Sequence, residues 1–481
     1  MRKTVAPAKG LKGTLALPAD KSIAQRSALF ALLSTEPSLI TNYPTAEDPL
    51  TALSCIRRLG AEVTKNGNEV RITGTGRDNI RTPEEPVDCG NSGTVMRLLA
   101  GMLAGAGVPA RLVGDASLSR RPMKRIMDPL SRMGADIRSE DGGLPPLDIR
   151  REKPFQPIQF QLPVASAQLK SCVLLAGLFG KEPTRVLEPV STRNHTETML
   201  GLPVARENET NIITSSRQHV IPPQNLQIPG DFSAAAFWLV AGTIVPGSDI
   251  VLPATGVNPT RSAAMHILRR MGADIEISGG HEDAKGGSDG MGGNDGMGGN
   301  DAKGGNDGKV IKGVPELASR GGSGTSGKVI KGGKGGMEPV ARLRVRSARL
   351  VPAEIHPQEI PNAIDELPVL AVAMAFAAGV SRITGAGELR FKESDRLDAI
   401  QAILESAGVR VEGHEDGLTI YGQPGRTVRA ARHDSRHDHR IAMAAAILSL
   451  MADGVSEIDN AQAASVSYPD FWSHLDSLAH R

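Results

Sequence analysis

Acidic and basic side chains are concentrated in one short segment that has the ingredients for proton transfer. Residues 389–397 read LRFKESDRL, with Lys392, Glu393 and Arg396 at the centre. The two cations are four positions apart, a spacing that on a helix places them on one face. Two fixed cations suit a phosphate or a carboxylate, and a carboxylate between them could move a proton. An ordinary ion pair on a solvated helix face is the alternative that this segment alone leaves open.

Other segments place polar or small residues at the predicted start of a helix. Lys21, Ser22 and Arg26 open an apolar periodic stretch that runs to about Leu33. Because the N-terminus of a helix attracts anions, an anion site is plausible there, although an ordinary capped helix has the same pattern. Similar helix starts hold Asn91, Gly93 and Thr94, then Arg121, then Ser166, Ala167 and Gln168, and finally Asp365. Turns, solvent exposure and helix capping are the plainer explanations of these segments.

The densest run of histidines, HDSRHDHR at residues 433–440, raises the possibility of a metal site. His433 and His437 are four positions apart, and nearby aspartates could add oxygen ligands. Arg436 and Arg440 in the same run would repel a cation. We therefore favour an anion site built from His439 and Arg440.

Composition predicts a globular protein without a nucleic-acid partner. The 481 residues exceed what one core usually holds, so two or more domains are expected. A net charge of +2 is too balanced to indicate nucleic acid or an acidic membrane surface. Cys55, Cys89 and Cys172 are far apart, which favours buried thiols over disulfides or a zinc site. The N-terminus has no apolar signal core and no run of about 18 apolar residues occurs, so we expect a cytoplasmic protein.

A phrase of about six residues recurs along the chain and predicts the domain architecture. In each copy a helical pattern ends at a glycine and an alternating strand pattern follows. The glycines are Gly60, Gly134, Gly201, Gly272 and Gly408, and the first four are about 70 residues apart. Six such units in two pseudo-symmetric halves would account for the chain, which gives a fold of the α/β (α+β) class.

One segment departs from this pattern. Residues 279–337 hold 22 of the 54 glycines. A stretch of this composition cannot bury enough apolar surface to offset its ordering entropy, so we predict a flexible surface insertion. A glycine-rich phosphate loop is the alternative, but the motif GxxxxGK[ST] does not occur in it.

Taken together, these clusters resemble the 5-enolpyruvylshikimate-3-phosphate synthase (EPSP synthase) family. Ten motifs carry the resemblance, in this order: PADKSIAQR, GNSGTVMRLLAG, GDASLSRRPM, PVASAQLKS, STRNHTETML, PGDFSAAAF, NPTRSA, AIDELPVLAVA, LRFKESDR and DHRIAMAAA. The resemblance implies a two-domain inside-out α/β barrel, each domain with three βαβαββ modules. Residues 1–17 and 230–481 would form one domain and residues 18–229 the other, with the substrates between them. It also implies no metal and no organic cofactor, and we expect a monomer.

The reaction implied by the resemblance moves the enolpyruvyl group of phosphoenolpyruvate to the 5-hydroxyl of shikimate 3-phosphate. Phosphate leaves through a tetrahedral intermediate. The matching positions for proton transfer are Asp365 and Glu393, with help from Lys392 and Lys21. Those for shikimate 3-phosphate are Lys21, Ser22, Arg26, Ser166, Ala167, Gln168, Arg193, Asp365 and Lys392. Those for phosphoenolpyruvate are Lys21, Asn91, Gly93, Thr94, Arg121, Gln168, Arg396, His439 and Arg440.

Some positions differ from the family pattern, and two other functions stay open. Asn194 stands where an aspartate is common, and Val466 where some members carry a lysine. Gly93 matches the glycine beside the site of the inhibitor glyphosate. The alternatives are a UDP-N-acetylglucosamine enolpyruvyl transferase of the same fold and a non-catalytic binding protein with a degenerate site.

Overall fold

The computed structural model describes residues 1–151, 153–279 and 338–480 of the chain. The predicted flexible insertion at 279–337 falls almost entirely outside these residues. The α-helices are α1 Lys21–Leu33, α2 Glu47–Arg58, α3 Gly93–Ala106, α4 Lys124–Arg132, α5 Ala167–Gly177, α6 His195–Leu200, α7 Phe232–Ile244, α8 Ala263–Arg270, α9 Ile360–Ala363, α10 Leu367–Ala375, α11 Arg396–Ser406, α12 His439–Ser449 and α13 Phe471–Leu478. Short 3-10 helices span Leu118–Arg120, Asp141–Gly143, Gly387–Phe391 and Ala461–Val466.

The strands are short and are spread along the whole described chain. They are β1 Lys3–Val5, β2 Gly10–Thr14, β3 Ser38–Thr41, β4 Glu62–Asn66, β5 Glu69–Thr73, β6 Val87–Asp88, β7 Ala110–Val113, β8 Ala135–Glu140, β9 Leu144–Arg151, β10 Gln159–Gln161, β11 Thr184–Glu188, β12 Val204–Glu207, β13 Thr210–Ser215, β14 Leu226–Gln227, β15 Asp249–Gly256, β16 Asp274–Ser278, β17 Val340–Arg346, β18 Glu354–Ile355, β19 Gly379–Ile383, β20 Arg410–His414, β21 Gly417–Gly422, β22 Arg432–Asp434, β23 Ser456–Asp459 and β24 Ala479–His480.

In the described parts of the chain these strands form six small sheets, five of which share one topology. In the sheet β6-β7-β9-β8, for example, β6 and β7 are parallel, and β9 is antiparallel to both β7 and β8. The sheets β10-β11-β13-β12, β18-β19-β21-β20 and β14-β3-β5-β4 repeat this arrangement, and β2-β15-β17-β16 does so with β24 added at its edge. The sixth sheet has only β22, β23 and β1. The six-unit prediction from the recurring glycines is therefore confirmed.

The recurring glycine ends a helix in each copy of the phrase, as predicted. Gly60, Gly134 and Gly272 have φ angles of 104°, 103° and 96°, and those of Gly201 and Gly408 are 64° and 80°. A side chain with a Cβ is disfavoured at these angles, so glycine is the residue that can turn the chain there. The strand that follows each glycine is an edge strand of its sheet.

The glycine-rich segment occupies the place of a hairpin turn. Strands β4 and β5 are joined by residues 67–68, β12 and β13 by residues 208–209, and β20 and β21 by residues 415–416. The equivalent antiparallel strands β16 and β17 are joined by residues 279–339. The insertion therefore lengthens one turn of the repeat and interrupts no described helix or strand.

Three helices in each half are buried over most or all of their length. Every residue of α7, α10 and α12 is buried, and most residues of α1, α3 and α5 are. A helix that is apolar on all sides must lie inside the protein, so the sheets cover these helices from outside. This is the inside-out α/β arrangement that the resemblance implies.

The buried apolar residues fall into two separate cores. One core draws on residues 5–17 and 232–478, and the other on residues 19–228. The chain passes between them twice, and the two crossing segments are hydrogen-bonded to each other. The Asp20 amide donates to the Pro229 carbonyl and the Asp231 amide to the Pro18 carbonyl, each at 2.8 Å. The domain boundaries at residues 17/18 and 229/230 stay a prediction, which these cores support.

Two further observations concern the expectations from composition. Cys55, Cys89 and Cys172 are all buried and free, as expected for small buried thiols. Within the described ranges, no helix is both long enough and apolar enough to cross a membrane.

Candidate active site

A polar cavity of about 540 Å³ lies where residues of the two cores face each other. It brings together every residue predicted for catalysis or substrate binding except Arg26. Those that line it are Lys21, Ser22, Asn91, Gly93, Thr94, Arg121, Ser166, Ala167, Gln168, Arg193, Asp365, Lys392, Glu393, Arg396, His439 and Arg440. Residues from segments more than 400 positions apart thus meet in one place.

The cavity is built from the starts of helices. The first residues of α1, α3, α5, α11 and α12 all line it. Each of these helices is capped by an Asp or Ser side chain that accepts a backbone N–H of the first turn. Because helix N-termini carry partial positive charge, their convergence favours an anionic ligand even before the side chains are counted.

Asp365, located between α9 and α10, is surrounded by cations. Its carboxylate lies 2.7 Å from Arg193 Nη2, 3.3 Å from Arg396 Nη1 and 3.9 Å from Lys392 Nζ. Burial raises the pKa of Asp365, but Arg193, Lys392 and the other cations outweigh burial, so its pKa lies well below the ordinary range. Asp365 is therefore a carboxylate in the ligand-free site.

Glu393 has a matching environment on the other side of Arg396. Its Oε2 lies 2.7 Å from Arg396 Nη2, and its Oε1 lies 3.4 Å from Arg121 Nη1. Burial raises the pKa of Glu393, and Arg396, Arg121 and His439 lower it further than burial raises it. Burial lowers the pKa of neighbouring Lys392. Two carboxylates and a lysine with perturbed pKa values in one cavity are typical of a catalytic site.

The helical spacing inferred for Lys392 and Arg396 is wrong. Lys392 is extended and follows the 3-10 helix Gly387–Phe391, whereas α11 begins only at Arg396. The two cations meet because the chain turns into a new helix between them. Arg396 is further fixed by Asp438, whose Oδ2 accepts from its Nε at 2.8 Å.

The residues matched to phosphoenolpyruvate binding are linked by hydrogen bonds. Arg121 Nη2 donates to Asn91 Oδ1 at 2.9 Å. Gln168 Nε2 donates to Thr94 Oγ1 at 2.9 Å, and Gln168 Oε1 accepts from Arg97 Nη1 at 2.6 Å. These contacts fix the side chains of two helix starts relative to each other.

Sequence reasoning missed Arg97, which lines the cavity. Burial, together with the charges of Arg121 and Arg125, lowers the pKa of Arg97 to about 10. Arg97 follows Gly93 by four positions on α3, so the helical spacing applied to the segment around Lys392 would have found it here. Asp48 was also missed. It lies 3.1 Å from Lys21 Nζ, but it belongs to a helix with no motif in the sequence.

Arg26 lies beneath the cavity. Its Nε donates to Thr196 Oγ1, and its Nη1 donates to the Ser22 carbonyl, each at 3.1 Å. Burial lowers the pKa of Arg26 to about 10. In this structure Arg26 supports Ser22 and the start of α6, and its predicted contact with substrate stays a prediction.

The side chains of the histidine run have separate partners. His433 contacts Ser406 Oγ at 3.0 Å, and Asp438 caps α12 and binds Arg396. No three His, Cys, Asp or Glu side chains converge as a metal site anywhere in the described ranges. His439 and Arg440 do line the cavity, where burial and the charge of Arg440 hold the pKa of His439 well below its usual value.

Three further polar contacts join the halves. Arg125 and Glu388 form a paired contact at 2.7 and 2.8 Å, with both side chains about half exposed. Beside the crossing segments, Asn194 Oδ1 accepts from Asn258 Nδ2 at 2.8 Å, and His195 Nδ1 lies 2.7 Å from Glu338 Oε1. An asparagine at position 194 thus serves as an acceptor between the halves.

Comparisons with known proteins agree over the whole chain. The family model described as EPSP synthase (3-phosphoshikimate 1-carboxyvinyltransferase) matches residues 5–296 and 328–475. A 3-phosphoshikimate 1-carboxyvinyltransferase of Salinibacter ruber is 42% identical over 484 residues, covering 100% of both chains. The solved EPSP synthase of Acinetobacter baumannii is 33% identical with a TM-score of 0.78, and covers 99% of this chain and 98% of that one.

A more distant structure is informative about the fold alone. The enolpyruvyl transferase NikO of Streptomyces tendae is 16% identical with a TM-score of 0.68, covering 99% of this chain and 96% of that one. The six sheets around two sets of buried helices are therefore the fold of the enolpyruvyl transferases. Within that class, the chain belongs to the EPSP synthase family.

Proposed function

We propose that this protein transfers the enolpyruvyl group of phosphoenolpyruvate to the 5-hydroxyl of shikimate 3-phosphate, in the pathway to chorismate and the aromatic amino acids. The observation that carries the proposal is the cavity, which is lined by residues from all ten motifs and pairs two carboxylates with several cations. Both substrates are polyanions, so they need cations from several segments. The acceptor specificity follows the family, which disfavours a UDP-N-acetylglucosamine acceptor.

Substrate anions would take over the arginines that now hold the carboxylates. In this structure Arg193 binds Asp365 and Arg121 lies against Glu393. When the phosphate and carboxylate groups of the substrates bind these arginines, Asp365 and Glu393 lose part of their positive surroundings. The pKa of each carboxyl group then rises towards the range where it can accept and return a proton. Substrate binding would thereby activate the groups that do the chemistry.

The reaction needs balanced proton transfers at two atoms. The hydroxyl oxygen of the acceptor bonds to C2 of phosphoenolpyruvate while its proton passes to a base and C3 gains a proton. The bond between C2 and the phosphate oxygen then breaks, phosphate leaves, and C3 releases a proton. We assign these transfers to Asp365 and Glu393 together, with Lys392 and Lys21 stabilising the charge that develops.

The remaining expectations form part of this proposal. The substrates are small molecules, and neither nucleic acid nor a membrane is involved. We propose a cytoplasmic monomer in which residues 1–17 with 230–481 and residues 18–229 are the two domains. The reaction would need no metal and no organic cofactor, because the proton transfers and charge stabilisation are available from side chains.

The direct test measures phosphate release with both substrates, with each one alone, and with UDP-N-acetylglucosamine as acceptor. We expect release only with shikimate 3-phosphate and phosphoenolpyruvate together, and a loss of at least about 100-fold in Glu393→Ala. Glu405→Ala is the matched control, since Glu405 is an exposed glutamate of α11, the helix that follows Glu393. Folded protein that releases no phosphate, or that releases it with the sugar nucleotide instead, would contradict the proposal.

A further inference from the structure

Lys170 is buried completely on α5, together with two carboxylates. Its Nζ lies 2.7 Å from Glu188 Oε1 and 2.6 Å from Glu197 Oε1, and both acids are nearly inaccessible to solvent. Lys170 does not line the cavity. Burying one cation with two anions is unfavourable unless the geometry is well satisfied, so this cluster calls for an explanation other than stability.

The cluster holds the loop that carries Arg193. Glu188 Oε1 accepts from the Thr192 amide at 3.0 Å and from Thr192 Oγ1 at 2.6 Å. Lys170 Nζ also lies 3.5 Å from the Thr192 carbonyl. Thr192 immediately precedes Arg193, so the backbone on one side of this arginine is fixed by the Lys170–Glu188 pair.

The second carboxylate fixes the other side of the same arginine. Glu197 belongs to the first turn of α6, which starts two residues after Arg193. The contact between Lys170 and Glu197 therefore ties the start of α6 to α5. Arg193 lies between two segments that are both attached to one buried ammonium group.

Gln168, another substrate-binding residue near Lys170, has independent support. Gln168 precedes Lys170 by two positions, but its side chain is held by Arg97 and Thr94 from α3. Loss of the Lys170 ammonium would therefore affect Arg193 far more than Gln168. Resting on the function proposed above, we propose that Lys170 is a positioning residue for Arg193, and that it sets the affinity for shikimate 3-phosphate while leaving that for phosphoenolpyruvate nearly unchanged.

The test compares Lys170→Met, which keeps the apolar stem and removes the charge, with two further variants. Thr192→Val removes only the hydroxyl that donates a hydrogen bond to Glu188. The charges of Lys170 and of its two carboxylate partners stay in place. Lys181→Met is the control, because Lys181 is an exposed lysine shortly after the same helix. Each variant is assayed for kcat, for both KM values and for shikimate 3-phosphate binding by calorimetry.

We expect Lys170→Met to raise KM and Kd for shikimate 3-phosphate about tenfold or more, with KM for phosphoenolpyruvate within about twofold. Thr192→Val should give a smaller change in the same direction, and it keeps the test decisive if Lys170→Met does not fold. Equal changes in the two KM values, or no change in Thr192→Val, would overturn the proposal. If the unmodified protein binds shikimate 3-phosphate but shows no turnover, the proposed reaction fails while calorimetry still tests Lys170.

Discussion

Arg193 Nη2 lies 2.7 Å from Asp365 Oδ2, and the two residues come from the chain segments that build different cores. This contact joins the two sides of the cavity through the protein's own charges. We expect the phosphate of a substrate to compete with Asp365 for Arg193, so that binding would be an exchange of anions at the arginine.

Asp365→Asn should separate binding from chemistry. The amide cannot act as a base, so we expect kcat to fall by about 10²–10⁴-fold. Arg193 loses a competing anion at the same time, so the Kd for shikimate 3-phosphate should change by less than about tenfold. Turnover assays and calorimetry on the same preparation measure both effects. A variant that keeps its kcat would show that Asp365 transfers no proton.

Gly93→Ala should disturb the phosphoenolpyruvate side of the cavity. A Cβ at this position would lie 2.7 Å from Arg97 Nη1, so Arg97 must move, and Arg97 holds Gln168. We expect a higher KM for phosphoenolpyruvate and weaker inhibition by glyphosate, measured in steady-state assays. Gly454→Ala is the control, because its Cβ meets nothing closer than 3.4 Å. Unchanged kinetics in Gly93→Ala would mean that Arg97 adjusts without displacing Gln168.

We expect the protein to lose stability in mild acid because of the buried His433. Burial lowers the pKa of His433 to about 4. Below its unfolded pKa of about 6.5, the unfolded chain takes up a proton that the folded chain does not bind, so unfolding becomes easier as the pH falls. The contribution of His433 to the free energy of unfolding is fully present above about pH 6.5. It falls by about 3 kcal/mol by pH 4. Denaturation of the wild type and of His433→Gln at both pH values should show a smaller pH effect in the variant. An equal effect in the two proteins would assign the acid sensitivity to other groups.

Removal of residues 281–336 should leave turnover within about twofold, because the segment stands in place of a hairpin turn whose equivalents have two or three residues. Glu338 must be retained, since it contacts His195 and Asn258 between the halves. Glu338→Ala in the full chain is the informative comparison, and we expect it to lower stability more than the deletion does. A deletion that abolishes turnover while the protein stays folded would give the segment a role in the site.

The sequence predicted the repeat and most of the cavity because both depend on local signals. A glycine that ends a helix, and a polar residue that begins one, leave their signature within a few positions. Arg26 shows the limit of this reasoning, since its helical spacing from Ser22 is correct but the packing of α6 places it beneath the cavity. Lys392 and Arg396 reach the cavity through a change of backbone direction that spacing does not reveal.

Contacts between distant segments could not be predicted from the sequence. Asp48 has no motif around it, and the motifs in or beside which Lys170 and Glu388 lie give no sign of their partners. Their roles depend on which helices the fold brings together. Arg97 was readable in principle, because it follows Gly93 by one helical turn. Which residues of the two domains face each other across the cavity depends on how both cores pack. A single sequence does not give that information.

The two crossing segments limit the ways in which the halves can move. Residues 18–20 and 229–231 are hydrogen-bonded to each other side by side, and Gly230 also bridges to Thr255. A two-stranded connection of this kind resists twisting and sliding, so bending about one axis is the compliant direction. The amide of Lys21 donates to Asp231 Oδ2 at 3.1 Å, so we expect Lys21 to lie next to that axis and to keep its position if the halves separate. Arg121 and Glu393 share no such connection, so opening of the cavity would increase the distance between these two charges. Lys21 at the hinge would then be the cation whose position is the same for an incoming substrate in the open and the closed protein.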